Sequence, residues 1–203
     1  AVMVTTIEWS SDNYIKFKIV PHINFNNDLP GIRSAMAYSP ETAEPMGVLA
    51  EIIMRSNVGL SRAEREIIGM YVSYLNDCFY CHHSHAEIAC IYLSGDRDII
   101  EQIKENYSTA DISDKLKALL NIAAKVQKGG KFVTKNDIES AKAMGASDKD
   151  IHDTVLISAA FCMFNRYVDG LDTMTPTDMS SYPVRAKQIV ENGYGSHVYA
   201  LKK

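Results

Sequence analysis

A chain of 203 residues, 46% hydrophobic and 23% charged, has an ordinary globular composition and enough length to bury a sizeable core. Its formal net charge of -4, with no dense Lys/Arg block, leaves no electrostatic footprint for nucleic acid or an anionic membrane surface, so a small ligand is the better expectation. Four cysteines are too few for a disulfide framework, and the longest apolar run, Val155 to Phe164, falls well short of the roughly 20 residues a bilayer span needs.

Taken in order, the first 38 residues read as an arm. They hold a short alternating segment, Tyr14 to Val20, closed by Pro21 and an Asn-rich turn, with no second strand to pair with. The segment before it has neither a basic region followed by an apolar one nor an A-x-A cleavage site, so the chain reads as soluble and cytoplasmic.

From Pro40 the 3.6-residue period takes over. Met46, Leu49 and Ile52 or Ile53 predict one helix, which stops near Asn57-Val58-Gly59. Ser61-Arg-Ala-Glu64 is a capping box that opens a second helix, carrying Ile67, Met70 or Tyr71, Tyr74 and Leu75 inward. Asn76-Asp77 breaks that helix, and Asp77 is positioned by sequence to cap a third, which runs to Gly95. Further helices are predicted over Asp96 to Asn106, Ser113 to Lys128 and Thr134 to Met144. The longest follows the Ser147 cap, from Asp148 to about Leu171, and Pro176 and Pro183 mark a tail. No flexible linker divides the chain, so residues 39–203 form one helical domain behind the arm of residues 1–38, an all-α class with a single-domain bundle.

The chemistry-bearing residues crowd into Glu66 to His85, EIIGMYVSYLNDCFYCHHSH. On a helix beginning at Cys78, the side chains of Cys78, Cys81, His82 and His85 share one stripe, while His83 points elsewhere. The positive end of the helix dipole would also favour a thiolate there. Cys90 and Cys162, inside apolar runs, read as buried packing residues. Three readings compete for the pair. Cys78-Phe-Tyr-Cys81-His82 matches the haem-attachment pattern, but that attachment follows export and no export signal is present. Zinc binding lacks a second ligand pair, and four ligands along one stripe disfavour a tetrahedron. Redox chemistry through a reversible disulfide fits best.

Glu66-x11-Cys78-x2-Cys81-x3-His85 resembles the signature of the alkylhydroperoxidase D (AhpD) and carboxymuconolactone decarboxylase family, most closely its peroxidase-related branch. The likeness covers about residues 40 to 95, with a looser match over Asn165 to Leu171. It implies an AhpD-like helical bundle that assembles as a homo-oligomer, with a mostly buried active-site pocket. It further implies that Cys81 is the peroxidatic thiol, Cys78 the resolving one, and Glu66 and His85 a proton relay. The substrate would be a hydroperoxide and the reductant an external thioredoxin-like or lipoyl dithiol, with no flavin, haem or metal. AhpD itself has an additional histidine within the C-x-x-C, where this chain has Tyr80. Dipole considerations alone favour Cys78 as the attacking sulfur, whereas Cys81 has His85 four residues on to take its proton. The alternatives are lactone or carbon-acid chemistry on the same fold, and a non-catalytic disulfide switch.

Glu66 lies on the preceding helix, and without a break it would sit roughly 120° off the cysteine stripe. A fold-back at Asn76-Asp77 is therefore required. Tyr71, Tyr74 and Phe79 are expected to wall the pocket, Arg166 and Asp169 to form an ion pair or subunit contact, and His22, His152 and His197 to be structural or surface residues.

Overall fold

Residues 20–195 are described by a computed structural model, so His197 and all of the Tyr14-to-Val20 segment but Val20 lie outside the described residues. Within them the helical periodicity gives nine α-helices and no strand: α1 (Ile32–Tyr38), α2 (Pro40–Arg55), α3 (Arg62–Leu75), α4 (Phe79–Tyr92), α5 (Asp98–Asn106), α6 (Asp114–Lys128), α7 (Lys135–Ala143), α8 (Asp148–Gly170) and α9 (Ser181–Asn192). The all-helical, single-domain class read from the sequence is the one observed. None of these helices is long and apolar enough to cross a membrane.

The helix starts follow local side-chain chemistry. Ser61, Thr134 and Ser147 each accept from the backbone N–H three residues on, and Glu64, Asp137 and Asp150 reach back to the capping residue, satisfying donors that the first turn leaves unpaired. Two helices depart from the sequence reading. Residues 32–38, placed in the arm, form α1, and the stretch marked as a tail contains α9. Pro183 lies in the first turn of α9, where a missing N–H breaks no helical bond, so a proline there does not end the helix.

α3 is the central element. Every residue from Arg65 to Ser73 is buried, and the helix packs against α4, α8 and α6. Gly69 makes the contact with α8 possible: a Cβ at this position would overlap the ring of Phe161. Arg65, with 0% exposure, satisfies its buried charge through the carbonyls of Ile53, Val58 and Leu60 and through Asp153 Oδ2 at 2.8 Å. The α2–α3 connection is thereby locked to α8. At the opposite end, Asn76 donates to Asn165 Oδ1 (2.8 Å) and Asn165 to Ser73 Oγ (3.0 Å), which holds the last turn of α3 to the same helix.

α9 lies along α4, with Ala186 and Ile189 packed on Ile88. Arg55 Nη1 donates to the carbonyls of Ile189 (2.8 Å) and Val190 (2.9 Å), and Glu51 Oε2 accepts from the backbone N–H of Tyr194 (2.7 Å). These bonds tie the chain after α9 to α2 and set the position of Tyr194.

Candidate active site

The junction between α3 and α4 forms the site. Asp77 adopts a left-handed conformation (φ 57°), its N–H bonds the carbonyl of Tyr74, and the N–H of Cys78 bonds that of Ser73. This is a Schellman closure, in which Asp77 ends α3 rather than capping α4, contrary to the expected role. Asp tolerates the left-handed region better than most residues. The N-cap position of α4 belongs to Cys78, and Cys81 falls at its third residue. Because the closure turns α4 back against α3, Glu66 and His85 meet across the two helices.

The two sulfurs have different surroundings. Cys78 is 0% exposed, packed among Tyr80, Val168 and Tyr182. Its thiol is hydrogen-bonded to Cys81 and, more weakly, to Asp169. The bond to Cys81, burial and the charge of Cys81 together push its pKa far above the usual thiol range. Cys78 therefore stays protonated beside its partner. Cys81, by contrast, lines a cavity of ≈ 110 Å³, which His85 also lines and Cys78 does not. Both cysteines are free thiols.

His85 Nδ1 lies 2.7 Å from Glu66 Oε2, and Glu66 is 1% exposed. The other carboxylate oxygen accepts from Tyr194 Oη at 2.6 Å, and that hydroxyl is 3.3 Å from His85 Nδ1. Burial, followed by the charge of Glu66, raises the Tyr194 pKa well above its ordinary value, so the phenol remains a donor. A carboxylate accepts at Nδ1, which places the imidazole hydrogen there and leaves Nε2 as the basic nitrogen. Phe161, edge-on at 4.5 Å, and Tyr194, stacked at 6.0 Å, hold the ring in place.

The rest of the predicted stripe separates. The His82 ring packs on Tyr74 (5.3 Å), its Nδ1 is buried without a hydrogen-bond partner, and burial pushes its pKa down to about 4. His83 lies against Phe79 (4.1 Å) and also stands outside the Glu66–His85–Tyr194 hydrogen bonds. Among the described residues, no group of three or more His, Cys, Asp or Glu side chains is arranged to hold a metal ion. Tyr71, Tyr74 and Phe79 do not line the cavity, and Tyr74, expected to point inward, is exposed at the last turn of α3; Tyr80, Phe161, Phe164, Tyr182 and Tyr194 supply the aromatic walls. Tyr80, the residue inside the C-x-x-C, faces the glycine corner at Gly31. There φ is 56° and a Cβ would overlap the Tyr80 ring, so both backbone conformation and space call for glycine.

Two residues near the reactive groups escape the sequence reading. Asp169, read with Arg166 as forming an ion pair or a subunit contact, makes no ion pair with it: Asp169 is turned to Cys78, while Arg166 donates to the carbonyl of Cys162 at 2.9 Å. The looser likeness over Asn165 to Leu171 is the signal that marks this segment. Tyr194 carries no sequence signal, since it enters the site only through the bonds that anchor the chain after α9.

Solved structures provide the comparison. The chain is similar to an uncharacterised peroxidase-related protein from Silicibacter sp. TM1040, with TM-score 0.67 and 29% identity over 76% of this chain and 78% of that one. It is also similar to an AhpD-core, uncharacterised peroxidase-related protein from Ralstonia eutropha JMP134, with TM-score 0.69 and 29% identity over 78% and 82% of the two chains. The debrominase Bmp8, solved with 2,3,4-tribromopyrrole, shares the fold at TM-score 0.62 and 18% identity over 78% and 83% of the two chains. No family model and no curated protein sequence matches the chain.

Proposed function

The chain belongs to the AhpD-like family, and from that premise we propose that it is a thiol-dependent hydroperoxide reductase with Cys81 as the attacking sulfur. The observation that carries this reading is that Cys81, and not Cys78, shares the cavity with His85, whose far side is held by Glu66.

In the proposed cycle the Cys81 proton passes to His85 Nε2, and the charge on the imidazolium is balanced by Glu66. The S–H of Cys78 stabilises the Cys81 thiolate. That thiolate attacks the terminal oxygen of the hydroperoxide, the O–O bond breaks, and the departing alkoxide takes the proton from His85 and leaves as an alcohol. Cys81 is now a sulfenic acid. Cys78 gives up its proton and attacks the Cys81 sulfur, hydroxide leaves with that proton as water, and the disulfide forms. An external thioredoxin-like or lipoyl dithiol reduces the disulfide by exchange and is itself oxidised. Nothing in these steps requires a flavin, haem or metal. Assembly as a homo-oligomer belongs to the same proposal and is read by sedimentation.

The intact dithiol supports this reading over lactone or carbon-acid chemistry, and the relay beside it supports turnover over a passive disulfide switch. Since a debrominase has the same fold, the fold alone does not select the reaction. The test is consumption of tert-butyl hydroperoxide with dithiothreitol. Wild type is expected to turn over, Cys81→Ser to be inactive, and Cys78→Ser to form a trappable sulfenic acid. Full turnover by Cys81→Ser would sink the mechanism, and thiol loss without turnover would leave the switch.

A further inference from the structure

Cys78 must lose its proton to attack Cys81, yet the base that serves Cys81 lies on another side. His85 lines the cavity that Cys81 lines and Cys78 does not. The thiol of Cys78 meets α8 instead, where Val168 packs against it and the carboxylate of Asp169 accepts its hydrogen bond. Two helix ends bring these groups together. At the end of α8, Asp172 is left-handed (φ 47°), its N–H bonds the carbonyl of Asp169, and the N–H of Thr173 bonds that of Val168. This Schellman closure repeats the one at Asp77, so that Cys78 and Asp169 are each fixed by a closed helix end.

Asp169 is exposed, whereas Cys78 is 0% exposed. With Asn76, Asn165, Arg166 and Gly170 it borders an open cleft of ≈ 380 Å³, and none of these residues lines the Cys81 cavity. One carboxylate thus touches the buried sulfur on one side and solvent on the other. Burial raises its pKa above the usual carboxylate value against the bond from Cys78, and the charges of Asp77 and Asp172 add to the rise, which strengthens it as a base. The single S–H of Cys78 stands between two acceptors, Cys81 and Asp169. A thiolate at Cys81 holds that proton. Once Cys81 is a sulfenic acid its charge is gone, and the pull passes to Asp169.

We propose that Asp169 is the proton acceptor for Cys78 in disulfide closure, and that the cleft beside it leads this proton to solvent. As the Cys78 sulfur bonds to the Cys81 sulfur, its proton moves to Asp169 and the S–O bond of the sulfenic acid breaks. The departing hydroxide receives the proton by way of solvent and leaves as water, so no further oxidant is consumed. The assignment rests on the dithiol cycle, but Cys78 faces the same proton loss when it displaces any other group from Cys81.

The experiment therefore loads Cys81 in two ways, with tert-butyl hydroperoxide to give the sulfenic acid and with dithiodipyridine to give a mixed disulfide and free thiopyridone. Mass spectrometry of quenched samples follows the Cys81 adduct and the Cys78–Cys81 disulfide. In Asp169→Asn, loading is expected within about twofold of wild type, closure to slow by about 10²-fold with both reagents, and the adduct to accumulate. Closure in that variant is expected to rise about tenfold per pH unit as hydroxide replaces the carboxylate, and formate to restore part of it in Asp169→Ala, where the missing side chain leaves room. Melting curves check that each variant is folded. Closure at the wild-type rate in Asp169→Asn, equal slowing of both steps, or a slowing that neither pH nor formate relieves would overturn the role of Asp169. Asp169-dependent closure after dithiodipyridine, in a protein whose thiols do not react with the hydroperoxide, would keep that role and remove the reductase reading.

Discussion

His85 Nδ1 and Glu66 Oε2 stand 2.7 Å apart although they lie 19 residues apart on different helices. The left-handed turn at Asp77 creates the contact, and Tyr194 closes it from a third direction, donating to Glu66 at 2.6 Å. Replacing Glu66 by Gln keeps the shape and removes the charge that balances an imidazolium. Peroxide kcat/KM is expected to fall by about 10²-fold or more, chiefly in kcat. Tyr194→Phe leaves the carboxylate in place with one donor fewer, so a smaller loss is expected, together with a displaced pH–rate profile. An unchanged profile would remove Tyr194 from the relay.

Gly69 lets Phe161 lie against α3 and, from there, against the His85 ring. Gly69→Ala forces the Phe161 ring outward and is expected to cost about 1–3 kcal/mol in urea denaturation, despite the better helix propensity of alanine. The paired substitution Phe161→Leu opens space for the methyl group. The double variant is therefore expected to be more stable than the sum of the single losses implies.

Arg65 and Asp153 form a buried pair at 2.8 Å, and Asp153 also receives Lys149 and His152. Arg65→Met strips a donor from three carbonyls and removes one charge of the pair. An expected loss of about 3–5 kcal/mol in urea denaturation follows from leaving buried polar groups unsatisfied. A loss under about 1 kcal/mol would show that water or movement of α2 replaces the guanidinium.

The burial of His82 makes folding stability depend on pH. Its folded pKa is pushed down to about 4, below the ordinary value near 6.5, so between those values the unfolded chain binds the proton and the folded one does not. Stability from this group is complete above about pH 6.5 and is lost as the pH falls toward 4. His82→Gln, neutral throughout, is expected to flatten that part of the stability profile, measured as the urea midpoint against pH. An identical slope in the variant would assign the acid limb to other groups, such as Asp153, whose burial penalty is outweighed by hydrogen bonds from Lys149, His152 and Arg65 that depress its pKa.

The sequence by itself determines the helical class and seven of the helices, including the capped starts at Ser61, Ser113, Thr134 and Ser147. Both follow from interactions within one or two helical turns, which sequence spacing encodes directly, whereas the meeting of Glu66 and His85 needs the turn at Asp77. Only the tertiary structure decides which sulfur meets the cavity. Equal spacing on a helical stripe does not show that Val168 and Tyr182 bury Cys78, or that Asp169 reaches its thiol. The same limit explains why His82 shares the stripe by spacing yet packs its ring on Tyr74, and why Tyr194 carries no sequence signal. Tyr194 is positioned by bonds from α2 to the chain after α9, and contacts between residues more than a hundred positions apart leave no periodicity along the chain.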